Sequence, residues 1–437
     1  SEEAFFEPLR KTVDNLKIRL SYGSLGNQQI GYYDFIQTIT TKGSMGDYSF
    51  DGTILGQHAT VSDPVSGNQT WEKVISKNLG ADLNMFSNRL SLTADFYIRD
   101  TKGILGKGKS LPSIYGANEP QVNSNNLRTK GYELVLGWRD SFKLAGSTFS
   151  YGITGTFSDY TAEYTKCDNP SGLIGDPYVG KKYGEIWGYK VDGLFRNDEE
   201  AAEYASRVDL SKVAAGYYSA TGAYGKGVRG GDIKYLDLDG SGIVDGGKGT
   251  LEDPGDRRVI GNSSPRYQYG LTLNLSWYGF DLSVFMQGIG RLDWYPGADN
   301  LRFWGPYSRP YATFIPKNFM SQVWSESNPD AYLPRARAYT SLNSTQGTAY
   351  YTNDRYLQNL AYCRLKNLTL GYTIPKRLTS KVGIKECRVY FSGENLATWS
   401  ALKNDFLDPE QAAADSDKKS NVYPWCRTYS VGLNLTF

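Results

Sequence analysis

The most restrictive feature of this chain is the strict alternation of apolar and polar residues along many short segments. In the last of them, Tyr429, Val431, Leu433, Leu435 and Phe437 alternate with small or polar residues. Successive side chains of a β-strand point to opposite faces, so a period of two indicates a two-faced antiparallel sheet. The pattern predicts about ten strands, at residues 16–23, 79–85, 90–99, 132–139, 149–158, 267–278, 280–287, 368–374, 387–391 and 429–437.

The connections between these strands alternate between short and long along the whole chain. Ser87-Asn88 and Tyr278-Gly279 are short links, and about nine or twelve residues join two other pairs, whereas residues 159–264 and 288–355 form large loops. All short links then lie at one end of the sheet and all long ones at the other. A soluble β-sandwich or propeller has no reason for this asymmetry. It is typical of a transmembrane β-barrel with short periplasmic turns and long extracellular loops, and we predict that all-β fold.

The composition excludes several classes of protein. The 437 residues carry 48 Lys and Arg against 46 Asp and Glu, and this balance does not favour nucleic acid as a partner. The chain contains no stretch of 18 consecutive apolar residues, so we predict no helical membrane span. The single histidine, His58, does not favour an enzyme built on a triad or on several histidine ligands. An outer-membrane barrel enzyme and a soluble carbohydrate-binding β protein stay open as alternatives. A mean hydropathy of −0.48 fits a barrel because it averages apolar outward residues with a polar interior and polar loops.

Several segments, in order, resemble the C-terminal half of SusC/RagA-type TonB-dependent outer-membrane transporters. They include LKIRLSYGSLGNQQIG (16–31), NRLSLTADFYIRDTKGIL (88–105), GDIKYLDLDGSGIVD (231–245), RLKNLTLGYTIP (364–375) and RTYSVGLNLTF (427–437). The resemblance implies the last ten or so strands of a 22-stranded barrel in the outer membrane of a Gram-negative bacterium. The plug and the first strands would then lie outside this chain. Because open sheet edges are not tolerated in lipid, we expect these ten strands to close a barrel with other strands.

The resemblance also implies a function and partners. Members import oligosaccharides or peptides, so we expect a transporter and no enzymatic activity. Energy would come from the TonB–ExbB–ExbD complex, through a segment near the N-terminus that is absent here. A SusD-like surface lipoprotein would cap the outer face, and outer-membrane lipid would surround the barrel.

One run in the first large loop has the spacing of an EF-hand calcium loop. The expected oxygen ligands are Asp237, Asp239, Ser241, the main-chain carbonyl of Ile243, and Asp245. Lys248 replaces the usual glutamate at position twelve, so a further ligand would come from a residue such as Glu252, Asp253 or Asp256. We expect a structural Ca²⁺ that rigidifies the loop; the alternative is an Asp/Gly turn that binds nothing.

The second large loop is rich in aromatic residues that suit sugar stacking or contact with the lipoprotein. The candidates are Trp294, Trp304, Tyr307 and Tyr311; the alternative is that these rings pack the loop against itself. Residues 198–207 are predicted to form an amphipathic helix. Carboxylate pairs such as Asp405 and Asp408 are interpreted as solvated loop charge, and the four cysteines are expected to be mostly free, buried thiols.

Overall fold

A computed structural model describes most of the chain. The described residues are 4–27, 36–43, 49–50, 53–54, 57–67, 69–108, 111–218, 227–297, 300–308, 315–337, 350–403, 407–413 and 425–437. Among them, no helix is both long enough and apolar enough to cross a membrane.

Strands dominate the described residues. In chain order they are β1 Val13–Asn27, β2 Ile39–Gly43, β3 Ser49–Phe50, β4 Thr53–Ile54, β5 Gln57–Val61, β6 Glu72–Met85, β7 Leu90–Lys107, β8 Gln121–Leu144, β9 Ser147–Lys166, β10 Glu185–Tyr189, β11 Val191–Leu194, β12 Ile233–Tyr235, β13 Arg257–Asn262, β14 Arg266–Trp277, β15 Phe280–Arg291, β16 Asp293–Trp294, β17 Gln358–Asn359, β18 Tyr362–Thr373, β19 Glu386–Ser400 and β20 Thr428–Thr436. The α-helices are α1 Asp198–Ala205, α2 Ala215–Tyr218, α3 Leu301–Trp304 and α4 Lys376–Thr379. Single 3₁₀ turns lie at Ala4–Leu9, Ser113–Tyr115, Gly305–Tyr307, Met320–Gln322 and Ser380–Val382.

Ten of the strands form one antiparallel sheet in sequence order. The order is β1-β6-β7-β8-β9-β14-β15-β18-β19-β20, which confirms the ten predicted strands. Most are longer than the alternation indicated; β8, for example, has 24 residues. Within the described residues β1 and β20 each pair with a single neighbour, so the ten strands form an open sheet and do not close on themselves.

Connection lengths define the two ends of the sheet, which we call the short-turn end and the long-loop end. At the short-turn end, Tyr278-Gly279 links β14 to β15, and residues 374–385 link β18 to β19. The link of about nine residues predicted between β8 and β9 was wrong, because both strands continue to a two-residue turn. Ala145 and Gly146 form that turn with positive φ angles, as tight hairpins require. The long loops span residues 167–265 and 292–361 at the opposite end, so both begin later than predicted.

The sheet has an apolar face and a polar face. Apolar side chains that lie largely exposed include Leu20, Leu79, Phe96, Leu136 and Leu433. Directly paired residues of antiparallel strands share a face, and Leu20, Leu79 and Phe96 form one such row across β1, β6 and β7. Soluble monomers rarely expose so continuous an apolar surface. The apolar face therefore fits contact with lipid, and the polar face fits a barrel interior.

The hydrophobic core lies outside the sheet. Its cluster of buried residues comes entirely from the loops 167–265 and 292–361, which we call the two-loop cap. Phe195, Ile233 and Tyr235 contribute from the first loop, and Trp304 and Tyr356 from the second; all five are fully buried. The cap is therefore a packed structure.

Helix α1 lies in this cap and confirms the amphipathic helix predicted at 198–207. The side chain of Asn197 accepts a hydrogen bond from the main-chain N–H of Glu200, which caps the first turn. Ala201 packs into the core at 0 % exposure.

Candidate functional site

The polar face carries ion pairs that cross the sheet above glycine residues. Arg19 on β1 donates to Asp82 on β6 at 2.9 Å and to Asp95 on β7 at 2.8 Å. Gly80 lies between them, and a Cβ there would stand 2.7 Å from the guanidinium carbon of Arg19. Asn78 donates a further hydrogen bond to Asp95 at 2.9 Å. The glycine leaves room for the long arginine side chain to cross the polar face, where the two aspartates neutralise its charge.

The same arrangement recurs further along the sheet. Arg388 on β19 forms a two-pronged pair with Asp281 on β15, at 2.9 and 2.5 Å. Gly371 on the intervening strand β18 makes room, since a Cβ there would lie 2.5 Å from both partners. Two-pronged Arg–carboxylate pairs fix geometry as well as charge.

Between these pairs, the polar face of β9, β14 and β15 carries mostly uncharged groups. A cavity of about 350 Å³ there is lined by Thr156, Ser158, Gln268, Phe285 and Gln287, among others. Gln287 donates to the Tyr362 hydroxyl at 3.2 Å. Hydroxyl and amide groups beside an aromatic ring suit an uncharged polar solute.

A buried charge cluster, which we call the Arg364 cluster, lies where β18 meets the loop between β19 and β20. The side chain of Arg364 is only 2 % exposed and donates to Asp408 at 2.5 Å and to Glu410 at 2.6 Å. Its Nε also donates to the Thr398 hydroxyl, 2.9 Å away. The ammonium of Lys366 lies 2.8 Å from both oxygens of Glu410. The cluster therefore ties this loop to the polar face.

The Arg364 cluster corrects the interpretation of Asp408 as solvated loop charge. Its side chain is 16 % exposed and pairs with an arginine on another element. Asp405 lies outside the described residues. The sequence offered no sign of this pairing, because 44 positions separate Arg364 from Asp408.

Two of the four aromatic candidates in the second loop lie buried inside the cap. Trp304 is fully buried and its ring lies 4.9 Å from that of Tyr356, while Tyr307 is 4 % exposed and contacts Phe319. Neither ring can stack on a ligand in this arrangement, so the alternative of loop packing is right for both. Trp294 is half-buried in β16 and stays a candidate. Tyr311 lies outside the described residues.

Ionic and polar contacts also join the two loops of the cap. Arg337 of the second loop pairs with Asp232 of the first, which is 1 % exposed. Burial raises the pKa of Asp232 to about 6, even though the Arg337 charge opposes that shift. This ion pair therefore ties the second loop to the first.

The structure brings together part of the predicted calcium loop. Oxygen atoms of Asp237, Asp239 and the fully buried Asp256 lie within 4.8 Å of one another. Of the three residues considered for the missing ligand, Asp256 is thus the one that joins the group. Among the described residues Asp245 is not part of this group; its carboxylate accepts from the N–H of Gly247. The Ser241 hydroxyl donates to the Ile243 carbonyl at 3.0 Å.

Main-chain donors already surround these carboxylates. Asp256 accepts from the N–H groups of Leu238 and Asp245, at 2.6 and 2.9 Å. Burial and the neighbouring Asp239 charge raise the pKa of Asp256, while the N–H and hydroxyl of Ser241 lower that of Asp239. Main-chain N–H groups of the loop thus stabilise the carboxylates of Asp239 and Asp256. Binding of Ca²⁺ by these residues stays a prediction.

All four cysteines are free thiols, which agrees with the prediction that most of them would be unpaired. The prediction that they would be buried is right only for Cys387; Cys167 and Cys363 are half-buried, and Cys426 is exposed.

Comparisons with known proteins show what the chain is similar to. The chain is 26 % identical over 449 residues to TonB-dependent receptor P3 of Formosa agariphila, covering 98 % of this chain and 40 % of that protein. It is 21 % identical over 456 residues to TonB-dependent receptor SusC of Bacteroides thetaiotaomicron, covering all of this chain and 39 % of that protein. Along its whole length, the chain is therefore similar to part of these TonB-dependent receptors. No known family profile matches it.

A solved structure supports the same fold. The RagAB peptide transporter superposes with a TM-score of 0.66 at 20 % identity, over 98 % of this chain and 41 % of that one. The ten-stranded sheet therefore has the fold of part of that barrel, and it fits the C-terminal portion. The chain spans about 40 % of the length of the curated relatives it matches.

Proposed function

We propose that this chain forms part of a TonB-dependent outer-membrane importer of oligosaccharides or peptides. The observation that carries the proposal is the ten-stranded sheet with one apolar and one polar face, in a chain related along its whole length to TonB-dependent receptors. The apolar face contacts outer-membrane lipid, and the polar face lines the path of the nutrient. The uncharged wall at Thr156, Gln268 and Gln287 offers hydrogen bonds that sugar hydroxyls and peptide groups can both use.

The proposal includes two partners. A SusD-like lipoprotein docks at the long-loop end, where the two-loop cap presents the surface of a packed core. The TonB–ExbB–ExbD complex supplies energy through the part of the protein beyond this chain. The name of one relative supports the TonB partner, because SusC is a TonB-dependent receptor. The lipoprotein partner rests on the resemblance of the sequence.

Uptake by whole cells tests the proposal. Cells carrying the intact protein and its lipoprotein receive labelled oligosaccharides or labelled peptides of defined length. We expect uptake of one of the two classes, and its loss when the gene for this protein or the gene for TonB is deleted. Uptake that persists in both deletions, or a protein that fractionates without detergent, would contradict the proposal.

We also propose that the loop 237–256 binds a structural Ca²⁺. Asp237 and Asp239 supply carboxylate oxygens, the Ile243 carbonyl and Ser241 lie close by, and Asp256 holds the loop in shape. Ca²⁺ prefers six to eight oxygen ligands, and water would complete the set. Without the ion, the stability of the loop should fall as pH rises through the raised pKa of Asp256, because the native state holds that proton more tightly than the unfolded chain.

Adding Ca²⁺ should protect this loop from proteolysis. At a Ca²⁺ concentration tenfold above the dissociation constant, we expect a stabilisation of about 1.4 kcal/mol, measured as slower cleavage between residues 237 and 256. The double variant Asp237→Asn/Asp239→Asn should lose the effect, whereas Asp245→Asn, outside the carboxylate group, should keep most of it. Equal cleavage with Ca²⁺ and with a chelator would contradict the site.

A further inference from the structure

The apolar face changes character towards the long-loop end of strands β6 to β9. From the short-turn end, four successive rows of directly paired residues are almost entirely apolar. They begin with Met85, Leu90, Trp138 and Ile153, and end with Leu79, Phe96, Tyr132 and Asp159. The rows span six residues, about 20 Å along the strand, which approaches the apolar band of outer-membrane barrels once strand tilt is allowed for.

Basic residues appear in the next rows on the same face. Lys77 and Lys130 lie one row beyond Leu79 and Tyr132, on either side of Ile98, and Lys102 lies two rows further. On this face, six basic residues lie near three acidic ones. The basic residues are Lys73, Lys77, Lys102, Arg128, Lys130 and Lys166, and the acidic ones are Asp100, Asp159 and Glu163. Arg266 reaches Asp159 from the neighbouring strand β14.

Two of these acidic residues already have an arginine partner. Asp159 pairs with Arg266 at 2.5 Å, and Asp100 pairs with Arg128 at 2.6 Å. Glu163 lies opposite Arg128. Among the described residues, the ammonium groups of Lys77, Lys102 and Lys130 have no carboxylate within ion-pair distance, and all three side chains are exposed. The patch therefore has an excess of positive charge.

A groove joins the basic patch to the apolar rows. It has a volume of about 650 Å³ and is lined by Leu79, Phe96 and Tyr132 along its apolar part and by Lys77 and Lys130 at its long-loop end. Rings of Phe96 and Tyr132 lie 6.3 Å apart, as in the aromatic belts where bilayer meets water. Apolar surface followed by cations at headgroup depth matches a lipid with an anionic headgroup.

We propose that this groove binds a phosphorylated lipid of the outer leaflet. Its phosphate contacts Lys77 and Lys130, and an acyl chain lies along Leu79 and Phe96. Lys102 adds to the attraction from two rows further out. The inference rests on the proposed insertion in the outer membrane, but it adds a ligand that the transport cycle does not require.

Native mass spectrometry of the intact, delipidated protein tests the proposal. The probe is diphosphoryl lipid A, added in detergent, and the comparison lipid is the same molecule without phosphates. We expect the phosphorylated lipid to be retained and the double variant Lys77→Glu/Lys130→Glu to bind it about tenfold more weakly. The matched control, Lys376→Glu/Lys381→Glu, makes the same charge change at exposed positions of the short-turn end and should bind normally.

The remaining outcomes separate this proposal from its alternatives. Equal retention of both lipids, or equal retention by wild type and the Lys77/Lys130 variant, would overturn it, as would competition by inorganic phosphate. If the glutamate variant fails to fold, Lys77→Gln/Lys130→Gln gives the same test with a smaller change. Normal nutrient uptake by a folded variant that no longer binds the lipid would show that lipid binding and transport are separate. A protein that retains the lipid but takes up no nutrient would contradict the proposed transport function and leave the lipid site supported.

Discussion

Replacing Arg364 with alanine should destabilise the protein by about 3–5 kcal/mol, because it leaves buried carboxylates without their partner. The Arg364 side chain is 2 % exposed and holds Asp408, Glu410 and Thr398 at once. Lys366 alone remains to balance two acidic groups in a site with little solvent. Urea unfolding of the folded barrel measures the loss. Trp425, whose ring centroid lies 5.0 Å from the Lys366 ammonium, contributes to the fluorescence change when this loop opens.

Two controls distinguish this effect from the loss of an ordinary ion pair. Arg89→Ala removes an arginine that pairs with Asp140 but is 53 % exposed, so we expect a change of about 0–1 kcal/mol. The triple variant Arg364→Met/Asp408→Asn/Glu410→Gln removes the buried charges together and should recover much of the stability lost by Arg364→Ala. If Arg364→Ala behaved like Arg89→Ala, the Arg364 cluster would not secure the loop.

The sheet could be predicted from sequence because each strand encodes its own two faces. Leu16, Ile18 and Leu20 alternate with Lys17 and Arg19, and no distant residue is needed to read that pattern. Strand ends were predicted less well. The strand β8 begins at Gln121, eleven positions before the alternation becomes clear at Tyr132, since its first part carries mixed side chains beyond the apolar rows.

The sites depended on contacts that no local pattern carries. Asp237 and Asp239 were found because a calcium loop has fixed spacing, whereas Asp256 was only one of several nearby acids until the fold placed it beside them. Trp304 looks the same in sequence whether it faces a ligand or Tyr356. The Arg364 cluster joins a strand to a loop beyond the next strand, so only the folded chain shows it.

Replacing Gly288 with alanine should cost about 3 kcal/mol, because the new methyl group meets both backbone and a ring that is held in place. A Cβ at this position of β15 would lie 2.2 Å from the carbonyl oxygen of Tyr362 and 2.5 Å from the ring of Tyr269. That ring cannot move freely, since its hydroxyl donates to the same Tyr362 carbonyl at 3.1 Å. The substitution must therefore shift β15 from β18 or expel Tyr269, and either change weakens the sheet beside the Arg364 cluster.

The matched control for Gly288 is Gly155→Ala on β9. A Cβ there would meet its nearest atom, the Leu136 carbonyl oxygen, at 4.0 Å, so it fits without displacement. This variant should unfold at the wild-type urea concentration or slightly above it, because alanine also restricts the unfolded chain. Urea titration of both variants, with gel mobility of the folded barrel as a second readout, compares them directly. Equal stability of the two variants would contradict the prediction. It would mean that the close approach of β18 at Gly288 does not constrain the sheet, and that breaking the Tyr269 hydrogen bond does not lower the free energy of unfolding.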